Sequence, residues 1–177
     1  MTQFFNPAFI IIFGSIFSVM WVKLDQLGKN PSIPMKFALG ILQLGAGFLI
    51  TLVGLQFADE QAMVPLLTLV FLYLLHTTGE LFLSPIGLSM VTKLSPKSMA
   101  GTAMGGWFLS FAIANYAGGL IATLTGGHGD SGEELDAAAG LMKYTEVFST
   151  IGWTCVGIAV LIAVLNKPLN KLMHGVK

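Results

Sequence analysis

The stretch HTTGELFLSP, residues 76–85, sets one carboxyl group inside a long run of Leu, Phe and Val. Tyr73, His76, Thr77, Glu80 and Ser84 recur at three- and four-residue steps, so a helix would gather them on one face. A carboxyl there can hold a cation or exchange a proton. An imidazole can carry a proton near neutral pH or simply donate to a neighbouring carbonyl. His76 and Glu80 are too few ligands for a metal, and no cofactor motif accompanies them. The chain has no HExxH, no GxSxG and no Ser–His pairing across its apolar runs, which ranks an intramembrane enzyme last. Cys155 stands alone in an apolar stretch, so it forms no internal disulfide and reads as a small buried or lipid-facing side chain.

What must position these groups follows from composition. Hydrophobic residues make up 54% of the 177, charged residues 10%, and the mean hydropathy is +0.78. A soluble domain carries about 25% charged residues, so most of this surface faces something other than water. The expected class is an all-α membrane protein in a lipid bilayer. Net charge is zero and arginine is absent, which leaves no nucleic-acid footprint.

Five apolar runs are long enough to cross about 30 Å of hydrocarbon as helices. They cover approximately 4–22, 37–57, 64–92, 101–125 and 144–166. Lipid offers backbone groups no partners, so each run is expected to be helical. The first has no basic region before it and does not read as a cleavable signal. The loops separate by charge. Lys23, Lys29, Lys36, Lys93, Lys97, Lys167, Lys171 and Lys177 fall on one side if the spans alternate. Asp59, Glu60 and the glycine-rich loop 126–143 fall on the other. The lysine-rich side is then cytoplasmic and the amino terminus outside. An odd span count in that orientation raises the expectation that something precedes Met1 in the parent protein.

Glu80 lies near the middle of the third run. A charge at mid-depth costs about 2.5–3.5 kcal/mol on insertion scales. Eleven Leu, Phe and Val side chains between residues 66 and 83 offset this by roughly 3–7 kcal/mol. The helix can insert, but its carboxyl is expected to face protein or a wet cavity. The polar stripe around it reads equally well as the lining of a substrate path or as an interhelical hydrogen-bond seam. Pro85 removes the helix partner of the Leu81 carbonyl and is expected to kink the helix beside Glu80.

The fourth run contains GTAMGGWFLSFAIANYAGG, where Gly101 and Gly105 form a GxxxG step of the kind that lets helices pack closely. Trp107 is large enough to wall a pocket or to anchor at an interface, and Asn115 is a second polar group within the run. Asn6 before Pro7 reads as a helix cap, or as an embedded polar group if the helix starts earlier.

GELFLSPIGLSMVTKLSP followed by GTAMGGWFLSFAIANYAGG resembles the proton-dependent oligopeptide transporter family of the major facilitator superfamily. FNPAFIII resembles the start of that family's eighth core helix. The resemblance implies that the five spans are core helices 8–12, a partial carboxyl-terminal bundle. It implies coupled uptake of di- and tripeptides with protons across a bacterial-type inner membrane. It assigns Glu80 to the peptide amino group and Ser84, Trp107 and Asn6 to the same substrate site. Tyr73, His76 and Thr77 are expected as cavity-lining or proton-carrying neighbours. The first run lacks an internal proline expected near Gly14–Ser15. The amino-terminal bundle and the seventh helix are missing, so the chain is expected to be inactive alone. Burial opposes charge on a carboxyl and a cation within about 4 Å favours it. An ammonium group and a proton would therefore compete at Glu80, and symport would need a further proton site in the missing half. The competing readings are a related transporter of another amine-bearing or anionic solute, and a membrane scaffold with a dry polar seam.

Overall fold

Apolar runs deprived of water close their backbone hydrogen bonds within themselves as helices, and the described residues of this chain do so. A computed structural model describes residues 4–58, 63–125 and 137–173. These form six helices with no strand among the described residues. They are α1 (Phe5–Gln26), α2 (Ile33–Leu55), α3 (Leu66–Leu94), α4 (Ala100–Thr125), α5 (Ala137–Val164) and the short α6 (Asn166–Leu172). Of the glycine-rich loop 126–143, residues 126–136 lie outside the described residues, and 137–143 form the start of α5. By length and composition α1, α2, α3 and residues Gly140–Val164 of α5 can each cross a membrane. Five spans were expected. At 26 residues α4 is a fifth helix long enough to cross.

The α1–α2 connection is written in its local sequence. Gly28 takes a φ of +66°, the left-handed conformation that glycine adopts without a Cβ penalty. The Lys29 N–H then reaches back to the Leu24 carbonyl and closes the end of α1. Ser32 is extended before α2, and Pro34 occupies the first turn, where no N–H is needed. Lys36 is only 7% exposed and sets its Nζ 4.5 Å from the centre of the Trp21 ring, a desolvated cation over an aromatic face.

The centre of the bundle is α2, which packs extensively on both α3 and α5. Two glycine pairs allow it. A Cβ on Gly79 would stand 2.8 Å from the Gly40 carbonyl, and one on Gly40 would stand 3.0 Å from the Gly79 carbonyl. Similarly, a Cβ on Gly45 would stand 2.9 Å from the Gly152 carbonyl and 3.0 Å from the Cys155 Cβ. Helix backbones approach this closely only where neither carries a side chain.

The outer helix α1 meets α3 through aromatic rings at four-residue spacing. Phe5, Phe9, Phe13 and Phe17 follow one another with ring centres 6.0–6.1 Å apart. Phe17 and Trp21 then meet Phe82 edge-on at 5.2 and 5.0 Å. The GxxxG step of α4 behaves differently from its expected packing role. Nothing lies within 4 Å of a Cβ built on Gly101 or Gly105. The reason is position: α4 touches α3 and α5 only lightly, and its glycines face neither.

Candidate functional site

A cavity of about 540 Å³ opens between α1, α2, α3 and α4. Its polar lining comes from Asn6, Tyr73, His76, Glu80, Ser84 and Ser110, and Trp107 and Phe111 form an aromatic wall. Six of the seven residues singled out from the sequence meet here. Glu80 is an exposed residue among this lining.

Each helix contributes for a local reason. Along α3, Tyr73, His76, Glu80 and Ser84 fall on one face because a helix repeats every 3.6 residues. Asn6 is the second residue of α1, whose cap position is taken by Phe4. Its side chain is therefore free of capping, and its Nδ2 donates to the Thr77 hydroxyl at 3.2 Å. Trp107 reaches the cavity from α4 by lying over Gly87 of α3. Any Cβ at Gly87 would overlap the indole ring.

Three residues noted in the sequence sit elsewhere. Thr77 does not line the cavity; it is 0% exposed. It lies about 100° around α3 from His76, on the side that α1 covers. Pro85 does not line the cavity either. It borders a separate crevice of about 300 Å³, shared with Leu81 and with Gly14, Phe17 and Trp21 of α1. α3 continues through Pro85 as one helix from Leu66 to Leu94. Asn115 is also away from the cavity, exposed and donating to the Phe111 carbonyl at 2.8 Å.

His76 is wedged rather than displayed. Its ring stands 4.7 Å from that of Phe48 and bonds to the Leu44 backbone. A Cβ on Gly47 would approach its Cδ2 to 2.5 Å. Its Nε2 is buried without a hydrogen-bond partner among the described residues. The imidazole is thus fixed between α2 and α3, one turn from Glu80.

The wall supplied by α2, namely Phe37, Ile41 and Leu44, escaped the sequence reading, as did Ser110 and Phe111. The α2 residues follow an i, i+4, i+7 spacing, but α2 is apolar all round, so periodicity marks no face. Ser110 lies one turn after Trp107 and was within reach of that argument.

The arrangement suits an organic cation of modest size. It offers one carboxyl, an amide, hydroxyls and aromatic faces around a space of ligand dimensions. The sequence profile described as the POT family matches residues 1–137. Dipeptide and tripeptide permease B of Salmonella typhimurium is 34% identical over 172 residues, covering 97% of this chain and 35% of the permease. Dipeptide and tripeptide permease A of Edwardsiella piscicida is 36% identical over 173 residues, covering 98% and 34%. The chain thus spans about a third of the length of the curated relatives it matches. Among solved structures, a peptide transporter POT in complex with sulfate superposes with a TM-score of 0.79 at 32% identity, over 97% of this chain and 31% of that one. A POT family transporter in complex with 5-aminolevulinic acid gives 0.74 at 26% identity, over 91% and 30%.

Proposed function

The chain belongs to the POT family, and from that premise we propose that it forms the carboxyl-terminal part of a proton-coupled di- and tripeptide symporter. It supplies one side of the substrate cavity, with α1 to α5 as core helices 8–12. The observation that carries this reading is the single cavity shared by Glu80, Asn6, Ser84 and Trp107, drawn from three helices. The named relatives are permeases, not enzymes.

In this mechanism the Glu80 carboxylate takes the peptide ammonium group as a charge-assisted hydrogen bond. Asn6 and Ser84 receive the peptide's polar backbone, and Trp107 walls the side-chain space. A carboxylate engaged by an ammonium group has no free place for a proton in the same geometry. Substrate amine and proton therefore exclude each other at Glu80. Net symport then requires a second proton site in the remainder of the transporter, against which this bundle rocks. The chain alone is inactive on this account. Its lysine-rich loops face the cytoplasm and its amino terminus the outside.

The test is Glu80→Gln in the complete transporter carrying this chain. Loss of a charged hydrogen bond of about 1.5–3 kcal/mol lowers affinity for a free-amine dipeptide roughly 10- to 150-fold and flattens its pH dependence. An N-acetylated dipeptide is unaffected. Unchanged dipeptide affinity and pH profile in the variant would exclude the role.

A second reading keeps the cavity and changes the cargo to another amine-bearing solute. It is favoured by the complex of one solved neighbour with 5-aminolevulinic acid. Competition of that compound against a dipeptide in the same uptake assay separates the two.

A further inference from the structure

We propose that Thr77 is a positioning residue: its buried hydroxyl fixes the Asn6 side chain across the α1–α3 contact, so that the Asn6 carbonyl oxygen faces the cavity as an acceptor for substrate N–H. The inference rests on the peptide reading above and adds a residue that does not touch substrate.

Thr77 is fully buried and outside the cavity lining, whereas Asn6 belongs to it. The bond between them, Asn6 Nδ2 to Thr77 Oγ1 at 3.2 Å, joins residues 71 apart in sequence. Two other threonines of α3 turn inward on their own helix. Thr78 donates to the carbonyls of Leu74 and Leu75, and Thr92 to those of Leu88 and Ser89. That back-bonding is the usual habit of a helical threonine and carries no information about neighbours. The hydroxyl of Thr77 instead accepts from a different helix.

The need for a fixing group follows from how α1 is held. No residue of α1 is buried, and its extensive contact is with α3 alone. At the Asn6 end the helix rests on the Phe5–Tyr73 ring contact, 6.3 Å between centroids, and on the Thr77 bond. An aromatic contact sets distance but leaves the amide free to rotate. A hydrogen bond from one amide N–H fixes the amide plane and leaves the carbonyl oxygen, with its two lone pairs, for another donor. Beside the Glu80 carboxyl, this oxygen gives the cavity a second acceptor. A peptide ammonium and the adjoining amide N–H together present donors for both.

The test is dipeptide uptake by the complete transporter carrying this chain, reconstituted in vesicles, with membrane expression scored for each variant. Thr77→Val keeps the shape and removes the hydroxyl. Expected is a rise in KM of roughly three- to tenfold, the worth of a net hydrogen bond, with kcat unchanged. Thr77→Ser restores the wild-type KM. Asn6→Ala raises KM at least as much, and the double variant Thr77→Val/Asn6→Ala is no worse than Asn6→Ala alone. Should Thr77→Val not reach the membrane, Thr77→Ala and its cycle with Asn6→Ala take its place. Equal impairment in Thr77→Val and Thr77→Ser, additive effects in the double variant, or an unchanged KM in Thr77→Val overturns the proposal alone. A wild-type protein that takes up no di- or tripeptide overturns the peptide reading beneath it.

Discussion

Helices α2 and α4 are both glycine-rich, and they use their glycines in opposite ways. In α2, Gly40 and Gly45 meet Gly79 of α3 and Gly152 of α5 at backbone distance, and Gly47 makes room for the His76 ring. In α4, nothing lies within 4 Å of a Cβ on Gly101, Gly105, Gly106, Gly118 or Gly119. Throughout residues 105–123 of α4 only Trp107 is even partly withdrawn from the surface. The lesson is that a small residue permits contact without creating it. Glycine removes the obstacle; the path of the neighbouring helix decides whether anything arrives. The cavity depends on both helices, with α2 as its fixed wall and α4 hung on α3 by Trp107 over Gly87.

The contrast is strongest at the α2–α3 crossing. Gly79→Val forces a side chain against the Gly40 carbonyl, a backbone atom that cannot swing aside. The expected loss is about 2–3 kcal/mol or more, seen as a lowered thermal unfolding midpoint in detergent. A variant as stable as wild type would show that the crossing is looser than the geometry states. A smaller and reversible effect is expected at Gly47, where the obstacle is a side chain. Gly47→Ala displaces His76 at a cost of about 1–2 kcal/mol. Adding His76→Ala recovers most of it, because the clash and the ring leave together. Failure of that rescue would mean that Gly47 serves the backbone rather than the imidazole. Least affected is α4: Gly118→Val measured in this chain by itself changes stability by no more than about 0.5 kcal/mol. A larger loss would place a packed neighbour against α4 and end the contrast between the two helices.

Much of the site was legible because its signals are one-dimensional. Glu80 declares itself as a carboxyl inside an apolar run, and helical spacing then gathers Tyr73, His76 and Ser84 with it. Trp107 and Asn6 were found through the motifs that surround them, not through periodicity. Thr77 was assigned to the same polar face, since a step of three or four residues joins it to Tyr73 and Glu80 equally well. Its burial follows from where α1 crosses α3, and spacing along α3 does not contain that crossing. The α2 wall was hidden because a helix that is apolar on every side gives no clue to which side meets the cavity. Pro85 lacks an N–H, as its residue type dictates, and borders a crevice shared with α1.

The sequence by itself determined that this protein is helical and apolar, that it holds one carboxyl at mid-run, and which turns divide its first helices. These follow from backbone hydrogen bonding, side-chain transfer energies and the left-handed freedom of Gly28, all of which act within a few residues. The tertiary structure alone decided which glycines carry contacts, that Thr77 holds Asn6 instead of facing the cavity, and that Trp107 closes over Gly87. Those outcomes depend on the distance between helix axes, which is set by the summed packing of whole faces, and no single segment of the chain encodes that sum.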